Sequence, residues 1–288
     1  MNVAHAPEEL ERAERAVAIG TFDGVHRGHR AAIAAAAETG LRCTVVTFDP
    51  HPRLVLGYDV QLLTTLRRRL ELLDDAGADD VLVLRFTDEL SRLEPEEFVA
   101  EILAPIGTNA VVAAETFRFG RGRKGDVSLL RGLGLDVVDV PPVAGVSSSR
   151  IRELLAGGEM REAAGLLGRP HELEGTVVSG DQRGGTLGFP TANLAVAPRL
   201  LVPAFGIYAG AALAGRAAVS IGVNPHYGGS ERRIEAFLLD FEGDLYGQEL
   251  RIELWERLRD ERAFESEEDL VRQIALDVEA TRAADRPG

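Results

Sequence analysis

The chain has 288 residues, 45% of them hydrophobic and 27% charged, a length that argues for two domains and a composition ordinary for a globular protein. A net charge of −14 argues against general binding to nucleic acid or to an anionic membrane surface, and it requires local positive charge wherever an anionic substrate is held. A single cysteine, Cys43, excludes an internal disulfide, disfavours a Cys-based zinc site and reads as a small buried strand residue.

Residues 16 to about 145 alternate between β-rich runs and helical patterns. AVAIGTF (16–22), TVVTFD (44–49), VLVLRF (81–86), AVVAAE (110–115) and DVVDVP (136–141) read as strands. HRAAIAAAAETG (29–40), LRRRLELLDDAG (66–77) and EPEEFVAEIL (94–103) read as helices between them. Continuous apolar strands alternating with helices predict an α/β domain with a parallel sheet covered on both faces. VSSSRIRELLAG (146–157), with serines suited to an N-cap, and MREAAGLLGRP (160–170) are two further helices. The Gly168–Arg169–Pro170 stretch is the expected boundary, dividing the chain into domains 1–168 and 169–288.

Beyond it, ELEGTVVSG, ANLAV, GIYAGAAL, RAAVSIGV, RIEAFLLDF and ELRIELWERL read as strands separated by glycine-rich turns, with alternation that covers one face only. Six strands with no intervening helix predict a small closed antiparallel barrel. SEEDLVRQIALDVEATRA (266–283) is an amphipathic helix with Ser266 as its cap and Asp269 three residues later. No apolar run approaches a membrane span, and the acidic N-terminal segment does not resemble a signal peptide, so the cytoplasm is the expected compartment. The sequence carries no sign of the oligomeric state.

Two segments carry phosphate chemistry. GTFDGVHRGH (Gly20–His29) follows a strand and precedes a helix, the place where open α/β sheets bind ligands. Gly24 and Gly28 let the backbone approach an anion, and the helix N-terminus offers amide donors. His26 and His29, three apart, can point to one side and donate to a reacting phosphate; a partial metal site and a solvated pair are the alternatives. GTVVSGDQRGGTLGFPTANL (175–194) is a glycine-rich loop entering a strand. There the Thr191 hydroxyl and the Asn193 side-chain carbonyl are hard oxygen donors suited to Mg²⁺, unless the stretch is only a turn leading into a strand.

The first motif resembles the nucleotidyltransferase signature of bacterial bifunctional riboflavin kinase/FAD synthetases. VTFDPHPR (46–53), RFGRGRKGD (118–126), VSSSRIRELL (146–155) and LLGRP (166–170) look like segments of that family in the expected order. The resemblance implies a Rossmann-like nucleotidyltransferase domain followed by a flavokinase barrel. It implies adenylyl transfer in the first domain: FMN and ATP give FAD and pyrophosphate. The FMN phosphate is largely ionised at neutral pH (second pKa about 6), so no general base is needed. His26 and His29 would serve the α-phosphate, with Gly20, Phe22, Asp23, Gly24 and Gly28 around the nucleotide. Ser148, Ser149, Arg150 and Arg152 would hold the remaining phosphates, although VSSSR alone reads equally as helix capping. Thr116 and Phe117 fall in the flavin-handling segment. There Ala114 and Thr116 depart from the family's usual Gly-Glu-Asp/Asn-Phe, so FAD synthesis is expected to be weakened or re-tuned.

Pro190–Asn193 matches the flavokinase signature, which places Gly184, Gly188 and Pro190 at ATP and Thr191 and Asn193 at the metal. Phosphorylation of riboflavin must deprotonate a neutral hydroxyl, and the family's base corresponds to Glu235; by residues alone a solvent-facing strand glutamate is the other reading. His226 and Phe237 depart from the family's usual Thr and His. The expected function is therefore two-step conversion of riboflavin to FMN and then FAD. A kinase with an impaired adenylyltransferase half, and a flavin-binding regulatory protein with little turnover, are the competing readings.

Overall fold

The computed structural model describes residues 1–179, 189–223 and 232–288. Gly184, Gly188 and His226 therefore lie outside the described residues. The chain forms two compact units, Met1–Val60 with Leu66–Val146, and Gln61–Thr65 with Ser147–Gly288.

The first unit is a six-stranded, wholly parallel sheet. Its strands are β1 (Asn2–Ala4), β2 (Arg15–Ile19), β3 (Arg42–Asp49), β4 (Asp80–Arg85), β5 (Thr108–Ala113) and β6 (Asp136–Asp139), in the spatial order β1-β4-β3-β2-β5-β6. The five strands expected from sequence are present, and β1 adds an edge that no apolar run announces. The helices α1 (Arg27–Glu38) and α2 (Leu66–Asp75) match the patterns at 29–40 and 66–77. The helix expected over 94–103 is an α-turn, Pro95–Phe98, that widens into a π-turn, Val99–Leu103.

Because side chains alternate across a strand, each strand feeds two cores. Val17, Val46, Leu82 and Val111 pack with Phe98, Leu103 and Leu130 on one face. Ala18, Val45, Val81 and Val112 pack with Ile33, Leu72 and Leu73 on the other. This double burial is why the strands read as unbroken apolar runs. Cys43 is part of the second core, and burial pushes its thiol up to about 11, so it is an inert packing residue. From β2 the chain winds outward through β3 and β4, then returns to build β5 and β6 on the other side of β2. The winding reverses between β2 and β5, and in such sheets ligands bind beyond the carboxyl ends of the strands at that point.

The second unit is a closed antiparallel barrel in the order β10-β11-β8-β7-β12-β9. Its strands are β7 (His171–Val178), β8 (Ala192–Val196), β9 (Gly206–Ala212), β10 (Gly215–Val223), β11 (Arg232–Leu238) and β12 (Glu249–Arg259). Two helices, α3 (Ser148–Gly157) and α4 (Met160–Leu167), belong to this unit. Their residues Ile151, Leu155, Met160 and Leu167 share one core with Leu173, Tyr208 and Leu254 of the barrel. The compact units thus divide at Val146, earlier than the change from helix to strand pattern at Gly168.

The segment Gln61–Thr65 also joins this core. Leu62 bridges Leu200, Leu63 is buried with the barrel residues, and the Thr65 hydroxyl donates to Glu174. The terminal helix α5 (Glu267–Ala283) starts as the sequence predicts, with Ser266 Oγ accepting from the Asp269 amide at 3.1 Å. Arg259 of β12 grips the buried Asp277 of α5 through Nε and Nη2, at 2.9 and 2.7 Å.

Candidate active sites

The first site grows out of the turn after β2. Gly20 donates its amide to Val46 O at 3.0 Å, which ends the strand pairing. The next residues reverse the chain through three positive φ angles: Phe22 at 48°, Gly24 at 85° and Val25 at 37°. Only Gly24 adopts that conformation without steric penalty; at Phe22 and Val25 the surroundings must enforce it. Both side chains are buried, as is Asp23.

Helix α1 begins at Arg27, two residues earlier than its pattern suggests, because His26 caps it. His26 Nδ1 accepts the His29 amide at 3.2 Å. That bond makes Nδ1 an acceptor, so a neutral His26 carries its proton on Nε2. It also means that His29's amide, expected to face a phosphate, is already engaged. The two imidazoles stack with centroids 3.6 Å apart and planes 11° from parallel, and Phe22 flanks His29 at 4.8 Å. A Cβ on Gly28 would come to 3.3 Å from the His26 ring, so a larger residue there would push the stacked imidazole by a few tenths of an ångström.

Burial, the neighbouring His26 and the charge of Arg69 hold His29 well below the ordinary imidazole range of about 6.5. Its Nδ1 is sealed from solvent and has no hydrogen-bond partner among the described residues. His29 is therefore neutral in the free protein. A folded-state value below the unfolded one means that the unfolded chain binds the extra proton first. Stability is thus full above pH 6.5 and falls as pH drops below it. Part of this acid loss should vanish in His29→Gln, as read from urea midpoints at pH 7.5 and 5.5; parallel pH curves for the two proteins would refute the assignment.

Ala114–Phe119, the loop after β5, lies on the other side of the same switch point. Thr116 is exposed and Phe117 half-buried, with its ring stacked on Phe119 at 5.7 Å. The serine-rich segment opens α3, where Ser147, not Ser148 or Ser149, is the cap: its Oγ accepts the Arg150 amide at 3.1 Å. Arg150 pairs with Glu153 at 3.4 Å, and Arg152 Nε donates to Gln61 O at 2.6 Å. These residues belong to the second compact unit, whereas His26 and His29 belong to the first.

Arg69 of α2 is the functional candidate that motif reading passes over. It is fully buried, and its Nη1 donates to Phe48 O at 2.9 Å, Thr21 O at 3.2 Å and Thr47 Oγ1 at 3.4 Å. The sequence does carry a signal: Arg69 stands on the apolar stripe of α2 with Leu66, Leu72 and Leu73, at spacings of three and four. A charge on that stripe must be buried.

The second site is built on the outside of the barrel. Ile234, Ala236 and Leu238 of β11 point into the core, so Arg233, Glu235 and Phe237 face outward. Glu235 is directly paired with Asn193 of β8 on one side and Ser220 of β10 on the other. Directly opposed residues of an antiparallel pair share a face, so the amide of Asn193 and the carboxylate of Glu235 stand side by side. Asn193 is almost buried and Glu235 keeps 31% of its side-chain surface exposed, which leaves the carboxylate accessible. Arg233 Nη1 reaches Glu235 at 3.3 Å. Thr191 lies two residues before Asn193, on the approach to β8, behind the exposed Pro190. Phe237, at the position where the family commonly has His, meets Phe189 edge-on at 5.4 Å. Among the described residues no group of three or more His, Cys, Asp or Glu is arranged to hold a metal.

A doubly wound parallel sheet with paired histidines at its switch point, joined to a closed barrel with Glu and Asn opposed on one face, defines a two-unit nucleotide-handling protein. A family model described as FAD synthetase matches residues 8–152, and one described as riboflavin kinase matches 167–284. The chain is 36% identical to the bifunctional riboflavin kinase/FMN adenylyltransferase of Listeria monocytogenes, covering 96% of this chain and 94% of that one. It is 35% identical to the Escherichia coli K12 protein of the same name over 96% of this chain and 93% of the relative. The Bacillus subtilis counterpart is 33% identical, over 93% and 91%. A crystal structure titled macrolide-efflux protein from Streptococcus pneumoniae superposes with a TM-score of 0.89 at 30% identity, covering 98% of this chain and 99% of that one. Among the described residues no helix is long and apolar enough to cross a membrane. The chain belongs to the bifunctional riboflavin kinase/FMN adenylyltransferase family.

Proposed function

We propose that this protein makes flavin cofactors in two ATP-dependent steps, phosphorylating riboflavin to FMN on the barrel (169–288) and adenylylating FMN to FAD in the sheet domain (1–168). The observation that carries the reading is the pairing of Glu235 with Asn193 on the open face of the barrel, in a chain that also stacks His26 on His29 at a switch point. In the kinase step Glu235 takes the proton of the ribityl hydroxyl, whose oxygen bonds to the γ-phosphorus of ATP as the bond to ADP breaks. The Thr191 hydroxyl and Asn193 carbonyl fit Mg²⁺, a hard ion that completes its shell with nucleotide oxygens and water. Bound there, Mg²⁺ would offset charge on the transferring phosphoryl group.

In the second step an FMN phosphate oxygen bonds to the α-phosphorus of ATP and pyrophosphate departs. The site then needs to align two anions and offset their charge, with no base. His26 and His29 are the donors for that centre. Gly20, Phe22, Asp23, Gly24 and Gly28 shape the nucleotide cradle, and Thr116 and Phe117 serve the flavin. We place both reactions in the cytoplasm, where no nucleic-acid or membrane partner is needed.

His29→Ala should lower FMN adenylylation by about 10²-fold or more while leaving riboflavin phosphorylation near wild type. Chromatography of reactions started from riboflavin and from FMN reads both steps, and unchanged FAD production would remove His29 from the mechanism. The departures at Ala114 and Thr116 favour one second reading, a kinase alone. FMN without any FAD in either reaction would establish it.

A further inference from the structure

We propose that Arg69 is a positioning residue of the adenylyltransferase site: from α2 it clamps the turn that carries the nucleotide motif and places a fixed positive charge beneath it. The inference rests on the reading of that site given above. Three observations lead to it. First, the turn contains two residues, Phe22 and Val25, held at positive φ against their own preference. Something outside the turn must hold it, and Arg69 donates to the Thr21 carbonyl immediately before Phe22. Thr47 Oγ1 donates to the same carbonyl at 3.1 Å and accepts from Arg69, so one guanidinium nitrogen joins the turn to the end of β3.

Second, the guanidinium is fully buried, yet its Nε and Nη2 have no hydrogen-bond partner among the described residues. Structural buried arginines are satisfied, as Arg15 in the same unit is, with donors on Ile106 O, Thr44 Oγ1 and Asp80. Unmade donors on a buried cation, next to a motif that binds anions, mark a charge held for a ligand's field. Third, Arg69 is close enough to act electrostatically on His29, and Asp23 and Asp49 act on Arg69 in turn. In a chain with a net charge of −14, a buried cation under the turn supplies the local positive potential that a triphosphate and FMN require.

The test compares Arg69→Met and Arg69→Lys with wild type, assaying FMN adenylylation and riboflavin phosphorylation on the same preparations. The methionine variant should lose about 10²-fold in kcat/KM for adenylylation, with KM for ATP rising, while phosphorylation stays near wild type. The lysine variant, which keeps charge but not the fork, should recover part of the KM effect and less of kcat. Adenylylation unchanged in both variants overturns the proposal. If the methionine variant loses both activities and its cooperative unfolding transition, the lysine variant decides: folded with normal adenylylation refutes the clamp, and selective loss upholds it. Wild type that makes no FAD from FMN and ATP overturns the reading of the site itself, and the proposal with it.

Discussion

Replacing Glu235 with Gln should reduce phosphorylation of riboflavin by about 10²- to 10⁴-fold, the usual contribution of a positioned general base, and leave conversion of FMN to FAD intact. The expectation follows from three features. Glu235 is the one carboxylate on the outward face of β11, flanked there by Arg233 and Phe237. Its pairing partner is Asn193, so an Mg²⁺-bound nucleotide held at the Asn193 carbonyl, as proposed above, would lie beside the base. Glutamine keeps the shape but cannot accept the proton. The pair with Arg233, at 3.3 Å, has side chains 27% and 31% exposed, so its loss costs little stability. Rates of FMN and FAD formation measured separately by chromatography check the prediction. Retained kinase activity would remove Glu235 as the base, and joint loss of both steps would contradict two separate sites.

The largest stability effect is expected at Asp80. This carboxylate is 1% exposed at the amino end of β4 and receives Arg15, itself 1% exposed, and Arg42, which is 43% exposed. Burial alone would push its carboxyl up, but hydrogen bonds from Arg42 and Arg15 and their charges hold it below its ordinary value. Arg15 completes its set on Ile106 O at 2.8 Å and Thr44 Oγ1 at 2.9 Å, tying β2 to β3 and to the chain before β5. Asp80→Ala leaves the buried guanidinium without a counter-charge and should cost about 3–5 kcal/mol. Against a total stability of about 5–15 kcal/mol, that endangers the whole sheet. A depressed carboxylate contributes above its unfolded value of 3.8 and loses that contribution as pH falls through the folded one, so the variant's deficit should shrink in acid. Urea unfolding at pH 7 and pH 3 reads both effects; a loss under about 1 kcal/mol at pH 7 would mean that the cluster is dispensable.

Much of the architecture is legible because its signals are local. The apolar runs at 44–49 and 81–86 match β3 and β4 within two residues, since a strand buried on both faces tolerates little else. Ser266 and Asp269 announce the start of α5, because a cap acts within one turn. The short strand β1 and the helices Pro52–Val55, Asp88–Arg92 and Val127–Gly132 carry too few residues to show a period. Gln61–Thr65 escapes notice for another reason. Its attachment to the barrel is a single bridge, one buried leucine and one hydroxyl, none of which has a sequence pattern.

The candidate sites divide in the same way. The two-domain α/β-plus-barrel plan, the histidine pair and the Thr191–Asn193 string, as candidates, are legible in the sequence alone, because each depends on residue type at short spacing; Glu235 is singled out only through the family resemblance. Tertiary structure decided which of these meet. Strand register set Glu235 opposite Asn193, across 42 residues of chain. Capping fixed His26 Nδ1 on the His29 amide. Sheet order put the turns after β2 and β5 at one switch point, and burial made Arg69 a clamp for the motif turn, not one more arginine in a surface run. Spacing along the chain reports contacts within a turn or between alternate strand residues. Pairing between distant segments depends on how the cores close, and no short pattern records that.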